Sequence, residues 1–412
     1  MSALGTAALR VPIPMGFRKI AALLSLALGG FAIGVQEFVT MGLLPNLASG
    51  LLPNLYRASP AAADASAAHL VSAYAAGVVI GAPLIIAFTA KWPKRRLLLA
   101  VLAWLVIATA SSALLPSFLP VMGARFLAGM PHGVYFGVAT MLAARIMGPG
   151  SQAKGVAMVL GGLTIANVVG VPGVTWLGQN AGWRWAYGTV AMLFALTFIC
   201  IRLTVPMFPG NRHASINTEL GAFRRKQVWL TIAMGALGFG GFFAAYSFIN
   251  PIATHVAGLT EAAVPAVLVT AGIGMTIGNF AGGYFGDRSL PATLFTGYAG
   301  VGVLLLAGNL MLHSVPGLFA WALLLGGFSQ LIGPPAQSRL MAVAPGSETI
   351  AAACHHAAFN IANSLGAFLG GLVVAAGYGF LAPLNVGVVL TALGVAFGVV
   401  SFSLDRHARR RR

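Results

Sequence analysis

Lys94-Arg-Arg-Leu97-Leu-Leu-Ala-Val-Leu-Ala-Trp104-Leu-Val-Ile-Ala-Thr-Ala-Ser-Ser-Ala-Leu-Leu-Pro116 sets three basic side chains against a run, 97–116, that carries no charge. A hydrocarbon core of roughly 30 Å is crossed by about 20 apolar residues in a helix, and 97–116 supplies that length. Lysine and arginine flanking such a run are at home among lipid headgroups. The same pattern recurs along the chain. Runs near 18–44, 68–90, 118–146, 155–178 and 183–205 precede a polar stretch at 206–227. Six more lie near 228–256, 262–286, 291–312, 317–342, 349–377 and 380–404. The pattern predicts an all-α integral membrane protein with twelve transmembrane helices.

Composition excludes the soluble classes. Of 412 residues, 58% are hydrophobic and 8% charged, against about 25% charged in a soluble domain whose surface faces water. The 53 glycines suit helices that pack closely in lipid. The net charge of +17 does not mark a nucleic-acid binder, because the basic residues sit in short clusters between apolar runs rather than on one face of a compact domain. Cys200 and Cys354 both fall inside apolar runs, so neither a disulfide framework nor a metal site is expected. Arg18 and Lys19 before the run from Ile20 resemble a signal peptide, but no A-x-A-like cleavage site closes that run. The segment is expected to stay as the first helix.

With a cytoplasmic N-terminus and an even number of spans, all but three of the 24 Lys and Arg fall on the inner side. The exceptions are Arg57 and Arg184 outside and Arg125 within a span. This asymmetry places both termini in the cytoplasm, and the expected location is the inner membrane. Phe88-Thr-Ala-Lys91-Trp-Pro-Lys-Arg95 after span 2 is echoed by Phe285-Gly-Asp287-Arg288-Ser-Leu-Pro after span 8. Two pseudo-symmetric six-helix bundles, 1–205 and 228–412, joined by a cytoplasmic linker at 206–227, suit a transporter that rocks around a central site.

Seven acidic residues are present: Glu37, Asp64, Glu219, Glu261, Asp287, Glu348 and Asp405. Only Glu37 falls inside a predicted span. A carboxylate in hydrocarbon is tolerated when it is protonated, paired or facing water, so Glu37 is a candidate proton carrier; a side chain reaching to the headgroups is the plainer alternative. Arg125 lies at similar depth in span 4, and the two are expected to form a buried ion pair that protonation opens. Arg125, Gly129 and His132 share one helical face, which makes His132 a second titrating candidate or a helix-to-helix hydrogen bond. Pro131 is expected to kink or loosen span 4. Polar residues in other spans either bridge helices or line a cavity: Tyr246 and Asn250 in span 7, Gln330 and Gln337 in span 10, and His355, His356, Asn360 and Asn363 in span 11. Small residues with Pro172 in span 5 read as a flexible contact between the halves. No Walker loop, HExxH or GxSxG is present, so neither an enzyme nor a bound cofactor is expected.

Several segments together resemble the major facilitator superfamily, in its drug:proton antiporter-1 branch near arabinose efflux permeases and chloramphenicol exporters. They are Phe31-Ala-Ile-Gly34-Val-Gln-Glu37-Phe38-Val-Thr-Met-Gly42-Leu-Leu-Pro45, Arg125-Phe-Leu-Ala-Gly129-Met-Pro-His132-Gly133, Ala166-Asn167-Val-Val-Gly170-Val-Pro172-Gly173, and Ala358-Phe359-Asn360-Ile-Ala-Asn363-Ser-Leu-Gly366. The resemblance implies proton-coupled export of a small organic molecule, a sugar or a drug, by a monomer in the lipid bilayer. It implies Glu37, Arg125 and His132 as proton-coupling residues, and Tyr246, Asn250, Gln330, His356 and Asn360 as the substrate cavity. Asp287 and Arg288 would form a gating loop, and Gly170, Pro172 and Gly173 an antiporter-like motif. Two places depart from the family pattern: Ala90 stands where an Asp is usual before the basic run, and Val174 where a glycine is expected. Proton-driven uptake of a nutrient, and a non-transporting membrane sensor, remain the alternative functions. The sensor would need a sizeable soluble domain, which the chain lacks.

Overall fold

The computed structural model describes residues 16–59, 63, 66–89, 91–208, 220–260 and 263–410. Ala90, Asp64, Glu219, Glu261, the terminal Arg10, Arg411 and Arg412, and 209–219 of the polar linker lie outside the described residues. Twelve helices among the described residues are long and apolar enough to span a membrane. They are α1 (Phe17–Gly42), α2 (His69–Thr89), α3 (Lys94–Leu114), α4 (Phe118–Met147), α5 (Gln152–Ala181) and α6 (Trp183–Thr204), followed by α7 (Lys226–Tyr246), α8 (Val264–Gly286), α9 (Leu290–Met311), α10 (Val315–Ala342), α11 (Glu348–Ala375) and α12 (Ala382–Arg410). Each backbone polar group in lipid must be satisfied within its own segment, which leaves the helix as the available form for such runs.

The prolines bend this scheme in three different ways. Pro131 does not break α4, which runs on to Met147. Pro131 has no N–H to give to the carbonyl of Leu127, and the indole Nε1 of Trp104 in α3 donates to that carbonyl at 2.9 Å instead. In α5 the turn before Pro172 widens into a π-turn at Ala166–Gly170, a common way to absorb a missing hydrogen bond. Span 7 departs from its expected bounds. The helix stops at Tyr246, and a short turn Ile249–Pro251 and a π-turn Ile252–Val256 follow. Pro251 can neither donate to the carbonyl of Ser247 nor fit its ring against it, so the continuous run 228–256 breaks there.

Two large apolar cores form among the described residues, with two small satellite clusters. One gathers buried residues from Ala22 to Val228 with a few from the ends of α10 and α11; the other runs from Met234 to Leu384. Glycines let helices within each half approach to backbone contact. A Cβ on Gly162 in α5 would lie 2.0 Å from the carbonyl oxygen of Ala27 in α1, and one on Gly278 in α8 would lie 1.9 Å from that of Gly327 in α10. Large apolar side chains on the outer surface, such as Leu310 and Trp176, are exposed, as expected where the surrounding medium is hydrocarbon.

Hydrogen bonds between α1–α6 and α7–α12 gather toward one end, the end that carries the basic clusters. Asn279 Nδ2 donates to the carbonyl of Ala157 at 2.7 Å, and Gln337 Nε2 donates to Thr140 Oγ1 at 2.9 Å; within the second half Gln337 Nε2 also donates to the carbonyl of Ala352 at 3.3 Å. Among the described residues, these contacts and those of Asp287 close the two halves together at the basic end.

Candidate transport pathway

Helices α1, α5, α7, α10 and α11 converge on a cavity near the middle of the bundle, whose lining includes Glu37, Phe239, Gln330, His355, His356 and Phe359. Its volume is about 20 Å³, enough for about one water. A larger groove of about 780 Å³ opens between α3 and α4, beside Trp104, Ile107 and Leu127. None of its lining residues is ionisable, whereas Glu37, His355 and His356 all line the central cavity.

Glu37 is buried, with 7% of its surface exposed. The expected ion pair with Arg125 is not formed in this conformation. Arg125 is fully buried, and its Nη2 donates to the carbonyl oxygen of Gln36 at 3.3 Å. Its guanidinium lies 4.5 Å from the centre of the Tyr74 ring and 5.5 Å from that of Tyr187, and Nε and Nη1 have no hydrogen-bond partner. The reason is the roughly 100° step between successive helical residues. Gln36 turns toward α3, where its Nε2 donates to Thr109 Oγ1 at 3.0 Å, while Glu37 turns into the cavity. Arg125 follows Gln36, so it touches the backbone of α1 and not the carboxylate next door.

His132 sits on α4 with Nδ1 2.9 Å from the Tyr74 hydroxyl. Its ring lies 5.3 Å, centre to centre, from that of His356 on α11. His356 stacks on Phe136 at 4.0 Å with planes 15° apart. The Nε2 atoms of both histidines are buried without a partner.

The cavity assignments divide. Gln330 and His356 line it. Tyr246 is half-buried and stacks on Phe242 at 4.9 Å, and Asn250 is exposed beyond the break in span 7. Asn360 is buried, but its Nδ2 donates to the carbonyl of His356 on the same helix at 3.0 Å. The stripe expected on span 11 therefore serves partly its own backbone. Asp287 and Arg288 also part company. Asp287 reaches the other half, its carboxylate accepting from the backbone N–H of Ala153 at 2.7 Å and of Lys154 at 3.2 Å at the start of α5. A carboxylate there satisfies unpaired donors and faces the positive end of the helix dipole. Arg288, in the turn after α8, instead lies over the ring of Tyr284 in the last turn of that helix. In the helix 5 motif, Gly170 packs on Phe31 and Val35 of α1, while Pro172 and Gly173 are exposed.

The Asp287 contact yields a direct expectation. Asp287→Ala removes the acceptor for two backbone donors at the basic end, a loss of about 1–3 kcal/mol for a charge-assisted contact. A cysteine at Ala157, otherwise buried under Asn279, should then react with maleimide roughly tenfold faster; unchanged labelling would show that Asp287 does not hold the seal.

Tyr74 and the Phe239–Phe359 pair, whose rings lie 5.4 Å apart, were not legible as site residues, since aromatic residues in spans are usually packing. Their sequence signal is weak. Tyr74 lies one turn from Val78 on the face that meets α4, and only the position of α4 reveals its role.

The comparisons agree with this architecture. Residues 26–308 match the model of the Major Facilitator Superfamily. The chain belongs to the Major Facilitator Superfamily. It is 33% identical over 373 residues to the inner membrane transport protein YdhP of Escherichia coli K12, covering 90% of this chain and 94% of that protein. It is 31% identical to the putative transporter AraJ of the same organism, covering 87% and 89%, and 30% identical to a chloramphenicol resistance protein of Streptomyces lividans, covering 90% and 94%. Among solved structures, the Escherichia coli fucose:proton symporter FucP superposes with a TM-score of 0.73 at 15% identity, covering 93% and 99%. The human organic anion transporter MFSD10 gives 0.71 at 16%, with the same coverage. These two establish the fold. This superfamily member is a multi-pass transporter of the inner membrane and not an enzyme; its substrates are small molecules.

Proposed function

We propose that this superfamily transporter exports a small organic molecule, a sugar or a drug, in exchange for protons by alternating access. The observation that carries the reading is Glu37, an acid held inside a membrane span, buried, facing the junction of the two halves and free of an ion pair. A carboxylate in that position can be carried neutral with a proton and must find water or a cation when it loses it. Arg125 of α4, bound to the carbonyl of Gln36 just before Glu37 and with two unpartnered nitrogens, is the cation that Glu37 meets in another conformation. His132 completes the proton-coupling group, and Gln330 and His356 face the substrate. The halves 1–205 and 228–412 rock about the 206–227 linker in a monomer with both termini in the cytoplasm, a topology supported by the skew of basic residues. The name of the chloramphenicol resistance protein supports export over uptake.

Membrane vesicles test this. Inverted vesicles acidified inside should accumulate chloramphenicol or a pentose by an amount that grows with the imposed pH gradient. Accumulation only in right-side-out vesicles would overturn export, and accumulation indifferent to the pH gradient would overturn proton coupling.

A further inference from the structure

The geometry points to His132 and His356 as one proton-binding latch between the two halves: while both rings are neutral they close the seam between α4 and α11, and a proton on either releases it. The proposal draws on the proton-coupled reading only for the source of the proton.

Three observations meet at this pair. First, the rings come from opposite halves of the molecule and lie 5.3 Å apart, with His132 1% and His356 5% exposed. Second, each leaves Nε2 buried and without a partner. A neutral ring can turn its lone pair there, whereas an imidazolium would bury an unpaired N–H and a charge together. Third, the tightest approach of α4 to α11 lies one turn further toward the basic end. A Cβ on Gly137 would stand 2.7 Å from the carbonyl oxygen of Thr349, and one on Gly133 would stand 3.3 Å from that of Ala353. The pair therefore sits directly beside the contact that must part if the basic end is to open.

The surrounding groups favour release and not accommodation of the charge. From α2, Tyr74 already occupies Nδ1 of His132. On α4, Arg125 lies behind that same tyrosine ring, adding a like charge, and Tyr135 turns away to donate to the carbonyl of Leu26. From α11, His355 is 5.5 Å from His356, and Cys354 precedes it. Helix α7 contributes Phe239 and α10 contributes Gln330 to the same surroundings, neither of them titratable. Among the described residues around the pair, the one acid is Glu37 of α1, which shares the cavity lining with His356. A proton that reaches His356 from the aqueous phase puts an imidazolium at the seam beside His132 and His355, where its Nε2 is buried without a hydrogen-bond partner.

The test is a distance measurement on the full chain, with Cys200 and Cys354 replaced by alanine and spin labels at Arg145→Cys and Ala342→Cys. These exposed positions end α4 and α10 at the basic end, in opposite halves. Without substrate or gradient, the long-distance population should rise on the order of tenfold between about pH 8 and about pH 5. His356→Phe keeps a ring against Phe136 but cannot take a proton, and it should show only part of the rise across that range; His132→Gln should do the same, and the variant carrying both substitutions should stay flat. Melting in detergent at the alkaline end confirms that each variant is folded, and His356→Gln replaces the phenylalanine variant if that one is not. A parent whose distances ignore pH, or a histidine variant that keeps the full rise, overturns the latch. Glu37→Gln should retain the rise. If it alone flattens the response, the latch is wrong while proton coupling at Glu37 stands. An intact histidine response in a protein whose transport ignores the pH gradient overturns the proposed function and leaves the latch.

Discussion

Glu37→Gln is expected to abolish uphill transport while leaving downhill exchange of the same substrate in place. Each unit of imposed pH difference holds about 1.36 kcal/mol per proton, a factor of ten. Two units with one proton exchanged can thus sustain about 100-fold accumulation in inverted vesicles, and the glutamine variant should fall to no accumulation at all. Downhill exchange survives because the side chain keeps its shape in a cavity already closed around it, and because a neutral amide is close to the protonated acid in size and polarity. Folding should be unharmed or slightly improved, since an unpaired buried acid is replaced by a neutral group. The measurement is substrate accumulation against its gradient, with and without the pH difference. Accumulation retained by Glu37→Gln would remove Glu37 from the coupling step whatever happens at the histidines. Arg125 sharpens the expectation: its contact is with the carbonyl of Gln36 and not with the carboxylate, so neutralising Glu37 should not strand the arginine in the conformation described here.

A second large effect is expected within a single helix. Gly162→Ala should strongly destabilise the protein, and Gly173→Ala should not. A Cβ at 162 would fall 2.0 Å from the backbone carbonyl oxygen of Ala27 and 2.8 Å from the backbone nitrogen of Phe31. Neither is the tip of a flexible side chain, so α1 and α5 must separate along their length. Overpacking of this kind costs about 3 kcal/mol or more, a fall on the order of 4 °C or more in melting midpoint for a chain of this size. At 173 the new methyl meets nothing within 4 Å, and alanine is a better helix former by about 1 kcal/mol, so the midpoint should hold or rise. Melting of the two purified variants in one detergent checks both. A Gly162→Ala protein that melts with its parent would mean that α1 and α5 are not held at backbone contact.

These expectations locate the coupling machinery in three places that act together. In the proposed scheme Glu37 carries the proton; the histidine pair lies beside the seam between α4 and α11, and Asp287 holds the start of α5 from the opposite half. The last of these is an electrostatic clasp formed by two backbone N–H groups at a helix N-terminus. The seam between α4 and α11 is a matter of backbone approach at Gly133 and Gly137. Both fall on the same face of the molecule, so an event that loosens one is opposed by the other until both give way, which suits a protein that must avoid being open at both ends.

Much of this was legible from the amino-acid order alone. The twelve helices follow from run length, because lipid forbids unsatisfied backbone over about 30 Å and so turns hydropathy into secondary structure. Glu37 stood out because so few acids occur and only one falls within a run, and Asp287 because it echoes the turn after span 2. What a one-dimensional pattern could not show is where one helix places its neighbour. The Glu37–Arg125 pairing matched in depth and failed in azimuth, since one residue's turn about α1 hands Arg125 to Gln36. Asn250 shared a predicted span with Tyr246 until Pro251 ended the helix between them. His132 and His356 are more than two hundred residues apart and share no motif, and their meeting exists only because α4 and α11 cross at small residues. Local chemistry and the demands of hydrocarbon set the elements; which polar groups meet was decided by side-chain azimuth and helix crossing, quantities that come into being only when helices pack.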